Sequence, residues 1–347
     1  MLQLKTIILC APSDYGFSNT IKKALQKQGF IVQSFPSLDY PYRYKRLSDR
    51  LYNCFRKVFL RDNSYKSRLK MQERNEEFFE KLKHSSNADY ALFIRPDLYP
   101  LEFVQAIKQK AKKVVAYQWD GLDRFPEVYK YIDHFDRFFV FDQNDLSKSA
   151  KVLPLTNFYI EEKAAIKIEK AAYFIGTFDQ GRFEQVNRLK SLLVSNNMPC
   201  HFSFITGNQK HIKTLQENNF ILSGALDYKE NLQKAQQYSM LVDIHSPIHN
   251  GLSFRIFEAL YYGKKLITTN SKVQDYDFYH PNNIFVWNGE NDAEMNRFLQ
   301  KDYVALPTSI LEKYSFENWI NYVLGIEQYQ EIGLPKAQSD KREFQLV

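Results

Sequence analysis

The residues whose types and spacing could do chemistry gather between positions 239 and 283. Leu241, Val242 and Ile244 form a short apolar run that predicts a buried parallel strand. Gly251 breaks the loop that follows, and Ser253 stands where it would cap a helix with Ile256, Phe257, Leu260 and Tyr261 as its buried face. Gly263 should end that helix, and residues 266–268 should begin a second strand. Such a strand–loop–helix–strand unit gathers polar side chains where the loop meets the helix start. Open parallel sheets take their ligands at that place, outside the carboxyl ends of the strands.

The chemistry of a helix start favours an anion, through free N–H groups and the positive end of the helix dipole. Arg255 adds a planar fork of donors suited to phosphate oxygens. Glu258 lies about one turn further in, and a carboxylate is the usual acceptor for paired ribose hydroxyls. His249, or His245 before it, could touch the pyrophosphate, and Asn270 ends the second strand facing the same place. A phosphate site beside a hydroxyl acceptor describes a nucleotide.

Here the residues carry a resemblance. The segment resembles the donor-binding half of GT-B-fold glycosyltransferases. Retaining families of that fold place two Glu around seven residues. Glu258 matches the second, while the first falls on Asn250. The chain is more similar still to bacterial lipopolysaccharide and capsule biosynthesis proteins of the spore-maturation (CgeB-like) glycosyltransferase group. The motifs that carry this are GLSFRIFEAL at 251–260, GKKLITTN at 263–270 and YDFYHPNNI at 276–284. The resemblance implies two Rossmann-like doubly wound α/β domains facing a cleft, with the acceptor bound by the first and a nucleotide-sugar by the second.

Composition sets bounds on this reading. At 347 residues two domains are expected, and 44% apolar content supports full cores. No run approaches the ~18 apolar residues that cross a bilayer. The first residues, MLQLKTIILCAPS, read as an opening strand rather than a signal peptide, because the apolar core at 7–11 is too short. Cys10, Cys54 and Cys200 are scattered and odd in number, which fits a reducing cytoplasm with no disulfide frame and no metal spacing.

Along the chain strand and helix alternate, as in a parallel doubly wound sheet. Strands are expected at 5–10, 30–34, 90–94, 113–117 and 137–141, with helices at 17–28, 101–110 and 126–132. A change of character at 154–170 separates a second series, with strands at 172–175, 202–206, 221–222, 241–244 and 266–268. The expected domains are residues 1–160 for the acceptor, with a helical basic insertion at 42–84, and 170–312 for the donor. A helix within 313–330 packs back on the first, as the resemblance implies. Between Tyr42 and Arg74 eleven Lys or Arg face Asp49, Asp62 and Glu73, a surplus of eight over a chain whose formal charge is +7. Leu47, Leu51, Phe55, Val58 and Phe59 recur there at helical spacing. Such a helix either lies on an anionic membrane face or is a core helix with a solvated charged side.

Further candidates surround the expected cleft. In the loop after the first strand, Asp14, Tyr15, Ser18 and Asn19 could meet an acceptor sugar, or form an ordinary turn with Ser18 as cap. Asp120 falls just past a buried strand and is the first candidate for the carboxylate that takes the acceptor proton, with Asp14 the second. The plainer reading has Asp120 capping the next turn. Trp119 could stack on a sugar or be core. Gly176 and Arg182 open the second series, and in the resembled proteins that loop faces the donor diphosphate. Residues 276–283, aromatic-rich and polar, either frame the donor's base or sugar or form a rigid loop on the sheet, the second being the reading for Phe278 and Pro281. Asp275, Tyr276 and Asp277 repeat a metal-holding tripeptide of another glycosyltransferase fold, but late in a second Rossmann half that role has no place.

The expectation is thus a metal-independent, cofactor-free glycosyltransferase moving a sugar from a nucleotide-sugar to a glycan or lipid-linked acceptor of a surface polysaccharide. It would be cytoplasmic and peripheral on an anionic membrane through residues 42–74. The alternatives are a nucleotide-sugar epimerase of the same fold and a non-catalytic basic scaffold on a membrane or nucleic acid. Phe and Tyr fall mainly on apolar faces rather than forming a stacking platform, so nucleic acid fits least.

Overall fold

The computed structural model describes residues 4–37, 42–59, 62, 65–162, 166–246, 249–326 and 328–335. Pro247, the tail from residue 336 and the side chain of Val58 lie outside the described residues. Two compact units divide the chain: Met1–Gln118 with Phe125–Phe138, and Trp119–Arg124 with Phe139–Val347.

The first half runs β1 (Thr6–Cys10), α1 (Phe17–Lys27), β2 (Ile31–Ser34), α2 (Leu47–Phe59), α3 (Tyr65–Lys83), β3 (Ala88–Ile94), α4 (Leu101–Lys108), β4 (Ala111–Gln118), β5 (Arg137–Val140) and β6 (Val152–Pro154). Its strands form one sheet in the order β2-β1-β3-β4-β5-β6, with β1 parallel to β2 and β3, and β3 parallel to β4. Ile7 to Cys10 and Val114 to Tyr117 are wholly buried, as strands covered on both faces require. Gly29, at φ +84°, makes the reversal from α1 into β2. Residues 126–134 are helical as expected, but wound as a 3-10 helix.

The second half runs β7 (Glu169–Thr177), α5 (Gln180–Ser195), β8 (Cys200–Ile205), α6 (Gln209–Glu217), β9 (Ile221–Leu222), α7 (Tyr228–Gln236), β10 (Tyr238–Asp243), α8 (Phe254–Tyr262), β11 (Lys265–Thr268), β12 (Ile284–Val286), α9 (Asp292–Gln300), α10 (Thr308–Lys313) and α11 (Phe316–Leu324). Its sheet is parallel in the order β12-β11-β10-β7-β8-β9. Counted from β7, this is the 3-2-1-4-5-6 order of a Rossmann fold. The order reverses between β7 and β10, and there the loops after the two strands diverge and leave a crevice. One core of buried side chains, Phe174, Phe183, Leu189, Phe202, Phe204, Met240, Val242, Ile267 and Phe285 among them, fills one face of this sheet.

α11 begins at Ser315, whose hydroxyl accepts from Asn318 N at 3.1 Å, and stops at Gly325, φ +65°. Its Trp319 is fully buried, donates from Nε1 to the Thr156 carbonyl at 3.1 Å and packs on Phe158. The architecture is two Rossmann-like doubly wound halves in succession, with α2 and α3 inserted between β2 and β3 of the first.

Candidate functional site

A cavity of about 310 Å³ opens where β7 and β10 end, at the reversal point of the second sheet. Phe174, Ile175 and Gly176 line it from β7, and Val242, Asp243, Ile244 and His245 from β10 and its exit. Arg182 contributes from α5, Tyr228 and Asn231 from α7, and Ser253, Phe254, Arg255 and Glu258 from the start of α8. His249 completes the wall from the loop.

The helix start is built differently from the expectation. Ser253 is the residue before the first turn, but its hydroxyl does not cap the helix. It donates instead to Asp243 Oδ1 at 2.7 Å, while Asp243 Oδ2 accepts from Thr268 at 2.9 Å. The bond to a charged acceptor at the end of β10 turns the Ser253 side chain away from the helix amides. The start of α8 therefore carries no side-chain cap, and its dipole end is turned to the cavity.

Glu258 is 2% exposed. Its Oε1 accepts from the Tyr228 hydroxyl at 3.1 Å. Arg255 Nε stands 3.3 Å from Oε2, close enough for charge attraction but off the line of a hydrogen bond, so Oε2 has no hydrogen-bond partner. Arg255 Nη1 is also buried without one. Nη2 reaches Asn231 Oδ1 at 3.4 Å, and the guanidinium lies over the Tyr173 ring at 5.3 Å. Burial raises the Glu258 carboxyl above its ordinary value, and Arg255 and Tyr228 pull it partly back. The Tyr173 hydroxyl is pushed up to about 12, chiefly by burial.

His249 packs its ring on Phe141 at 4.8 Å, and its Nδ1 is buried without a hydrogen-bond partner. Burial lowers the protonation point of His245 and His249, which favours neutral imidazoles. Asn250 and Gly251 lie behind the cavity rather than in its wall. Asn250 N donates to Asp142 Oδ2 at 2.8 Å. At Gly251 a Cβ would stand 2.2 Å from the Phe141 ring, so only glycine lets the loop pass there. Asn270 is 3% exposed and works on the same loop. Its Nδ2 lies 3.3 Å from the Gly251 carbonyl and from His245 Nδ1, while its Oδ1 accepts from Lys272 N at 3.0 Å.

Of the expected donor residues, Gly176, Arg182, His249, Ser253, Arg255 and Glu258 thus share one cavity, with Asn250, Gly251 and Asn270 bracing the loop beside it. A Cβ at Gly176 would meet the Phe174 ring at 3.0 Å. Arg182 donates to the Thr177 carbonyl at 3.2 Å, and its N–H is taken by Asp179, the cap of α5. Sequence reasoning missed Tyr228 and Asn231. Their signal was the pair Asp227 and Glu230, which forms a capping box at the start of α7.

Asp120 is 8% exposed and binds Arg124, Oδ1 to Nη1 at 2.6 Å. Trp119 is half-buried, edge-on to Phe254 with ring centres 5.8 Å apart. In the first unit, Asp14, Tyr15 and Asn19 are exposed after β1, whereas Ser18 is 4% exposed inside the first turn of α1. Tyr15 takes φ +52°, uncommon for a residue with a side chain. Asp277 is engaged by Lys313 and the Tyr314 hydroxyl, both at 2.7 Å. Phe278 is fully buried between Phe257 and Tyr314, while Pro281 is exposed. Among the described residues, no group of three or more His, Cys, Asp or Glu is placed to hold a metal ion.

No protein-family profile and no curated protein sequence matches this chain. Solved structures match it in fold. A UDP-N-acetylglucosamine 2-epimerase matches with a TM-score of 0.50 at 9% identity, over 97% of this chain and 100% of that one. A UDP-forming α,α-trehalose-phosphate synthase from Burkholderia xenovorans gives a TM-score of 0.50 at 11% identity, over 93% of this chain and 98% of that one. At such identities the likeness is one of fold alone. The chain has the GT-B fold.

Proposed function

We propose that this chain is a nucleotide-sugar enzyme whose second half holds the nucleoside diphosphate in the cavity between β7 and β10. The observation that carries this is a pair of buried atoms without hydrogen-bond partners, Glu258 Oε2 and Arg255 Nη1, on two residues of one cavity wall. A buried acceptor and a buried donor left unmade each cost free energy, and a ligand with hydroxyls and anionic oxygens satisfies both once the two side chains turn toward it. Glu258 accepts from the ribose hydroxyls. Arg255, Arg182 and the start of α8 meet the diphosphate and stabilise the charge that builds on it as the sugar leaves.

Two chemistries fit such a site. In glycosyl transfer, the main reading of the motifs at 251–284, Asp120 takes the acceptor proton, with Asp14 the second candidate, and the product is a surface glycan. Conversion of the donor's own sugar is the second reading. It is favoured by the match to the 2-epimerase over that protein's whole length. Incubating the protein with UDP-sugars and following the sugar by NMR separates them. An epimerase converts the donor alone; a transferase consumes it only with an acceptor. Failure of UDP, GDP, CDP and TDP alike to raise thermal stability would overturn the nucleotide reading itself.

A further inference from the structure

α2 has its sides reversed relative to an ordinary surface helix. Leu47 is 78% exposed, Leu51 72%, Phe55 47% and Phe59 71%. Spaced four apart, they form one stripe along the helix. The opposite side is polar and partly covered. Asn53 is 6% exposed, Asp49 accepts from the Tyr65 hydroxyl at 3.3 Å, and Arg56 Nε holds Asp62 at 2.9 Å. The helix thus leans its polar side on α3 and presents its apolar side outward. Arg43 and Arg46 just before the helix, and Arg50 and Lys57 within it, are exposed.

We propose that α2 docks on the surface of an anionic lipid bilayer, with the stripe at the boundary of headgroups and acyl chains and the cations on lipid phosphates. The stripe spans roughly 18 Å, too short to cross a bilayer core of about 30 Å, so the helix lies in the plane of the surface. Among the described residues no helix is long and apolar enough to cross. Charge selects the partner. A second copy would set one surplus of eight positive charges against another, and nucleic acid would match the charge but leave the stripe in water. Phe55 and Phe59 pack on each other with ring centres 4.9 Å apart, an apolar cluster rather than a splayed platform for bases. An anionic bilayer satisfies charge and stripe together.

This surface is on the first unit and the nucleotide cavity on the second, so the test is run without nucleotide and either proposal stands if the other fails. The full chain is sedimented with vesicles of equal parts phosphatidylcholine and phosphatidylglycerol, and with phosphatidylcholine alone. The wild type pellets with the mixed vesicles and is released by salt. Leu51→Gln with Phe55→Gln lowers the partition coefficient at least about tenfold. Arg50→Gln with Lys57→Gln lowers it about fivefold for each charge removed. Thermal midpoints stay at the wild-type value, because all four side chains are exposed. A wild type left in the supernatant overturns the proposal, as does an apolar double variant that pellets like the wild type. So does a wild-type dimer that this variant dissociates, which would make the stripe an interface between copies.

Discussion

α2 and α8 carry the same period of apolar residues and bury opposite sides. In α8, Ile256, Phe257 and Leu260 are buried on the parallel strands, and even the charged Glu258 is enclosed. In α2 the apolar row faces water and the polar Asn53 is enclosed. The difference teaches that a helical stripe specifies a face and not a partner. α8 follows the central strand β10 and lies back against β10 and β11. α2 follows the edge strand β2 and, among the described residues, sets its polar side on α3.

Substitutions along the two helices break or sharpen this contrast. Phe257→Ala should cost about 3–5 kcal/mol in urea unfolding, since it empties a fully enclosed site; a cost under about 1 kcal/mol would mean that α8 is no better packed than α2. Gly251→Ala should cost about 1–3 kcal/mol, because its new carbon meets the Phe141 ring. Combining it with Phe141→Leu should recover part of that cost in a double-mutant cycle, and strict additivity would contradict the contact.

Glu258→Gln should weaken nucleoside diphosphate binding by ~1–3 kcal/mol in calorimetry, if its free oxygen holds ribose hydroxyls. The same variant tests burial through pH. A carboxyl raised in the folded state holds its proton more tightly there than in the unfolded chain. Its contribution is full below the unfolded value of about 4.3 and is lost as pH rises through the folded value. The wild type should therefore lose stability over that window relative to Glu258→Gln; parallel pH profiles would show that the side chain is hydrated. The smallest effect belongs to the exposed stripe: Leu51→Ser should change stability by less than about 0.5 kcal/mol, and a larger loss would mean that the residue is covered in solution.

Much of the second half was legible. The strand that ends at Asp243, the glycine stop at Gly263 and the helix Phe316–Leu324 stand where apolar runs and punctuating residues put them. The short edge strands β6 and β12 were not foreseen, because three residues are too few to show a period. Position alone makes Ser253 a cap, yet its hydroxyl serves Asp243. Asn270 stands at the end of β11 as its position predicts, and its side chain also ties down the loop at 250–251. Such bonds escape the sequence because short polar side chains take the nearest strong partner, and a partner ten or twenty residues away has no local signature.

The sequence by itself determined the alternation of strands and helices, the stops at Gly29, Gly263 and Gly325, and the concentration of positive charge in residues 42–74, because these follow from local sterics, period and composition. Tertiary structure alone decided that Tyr228, thirty residues before Glu258, would take one of its oxygens, and that Asp243 would bind Ser253 and Thr268 together. It also decided which side of α2 meets water. Those outcomes depend on strand order and on what packs above each face, and such long-range contacts are settled only when the whole chain has closed on its cores.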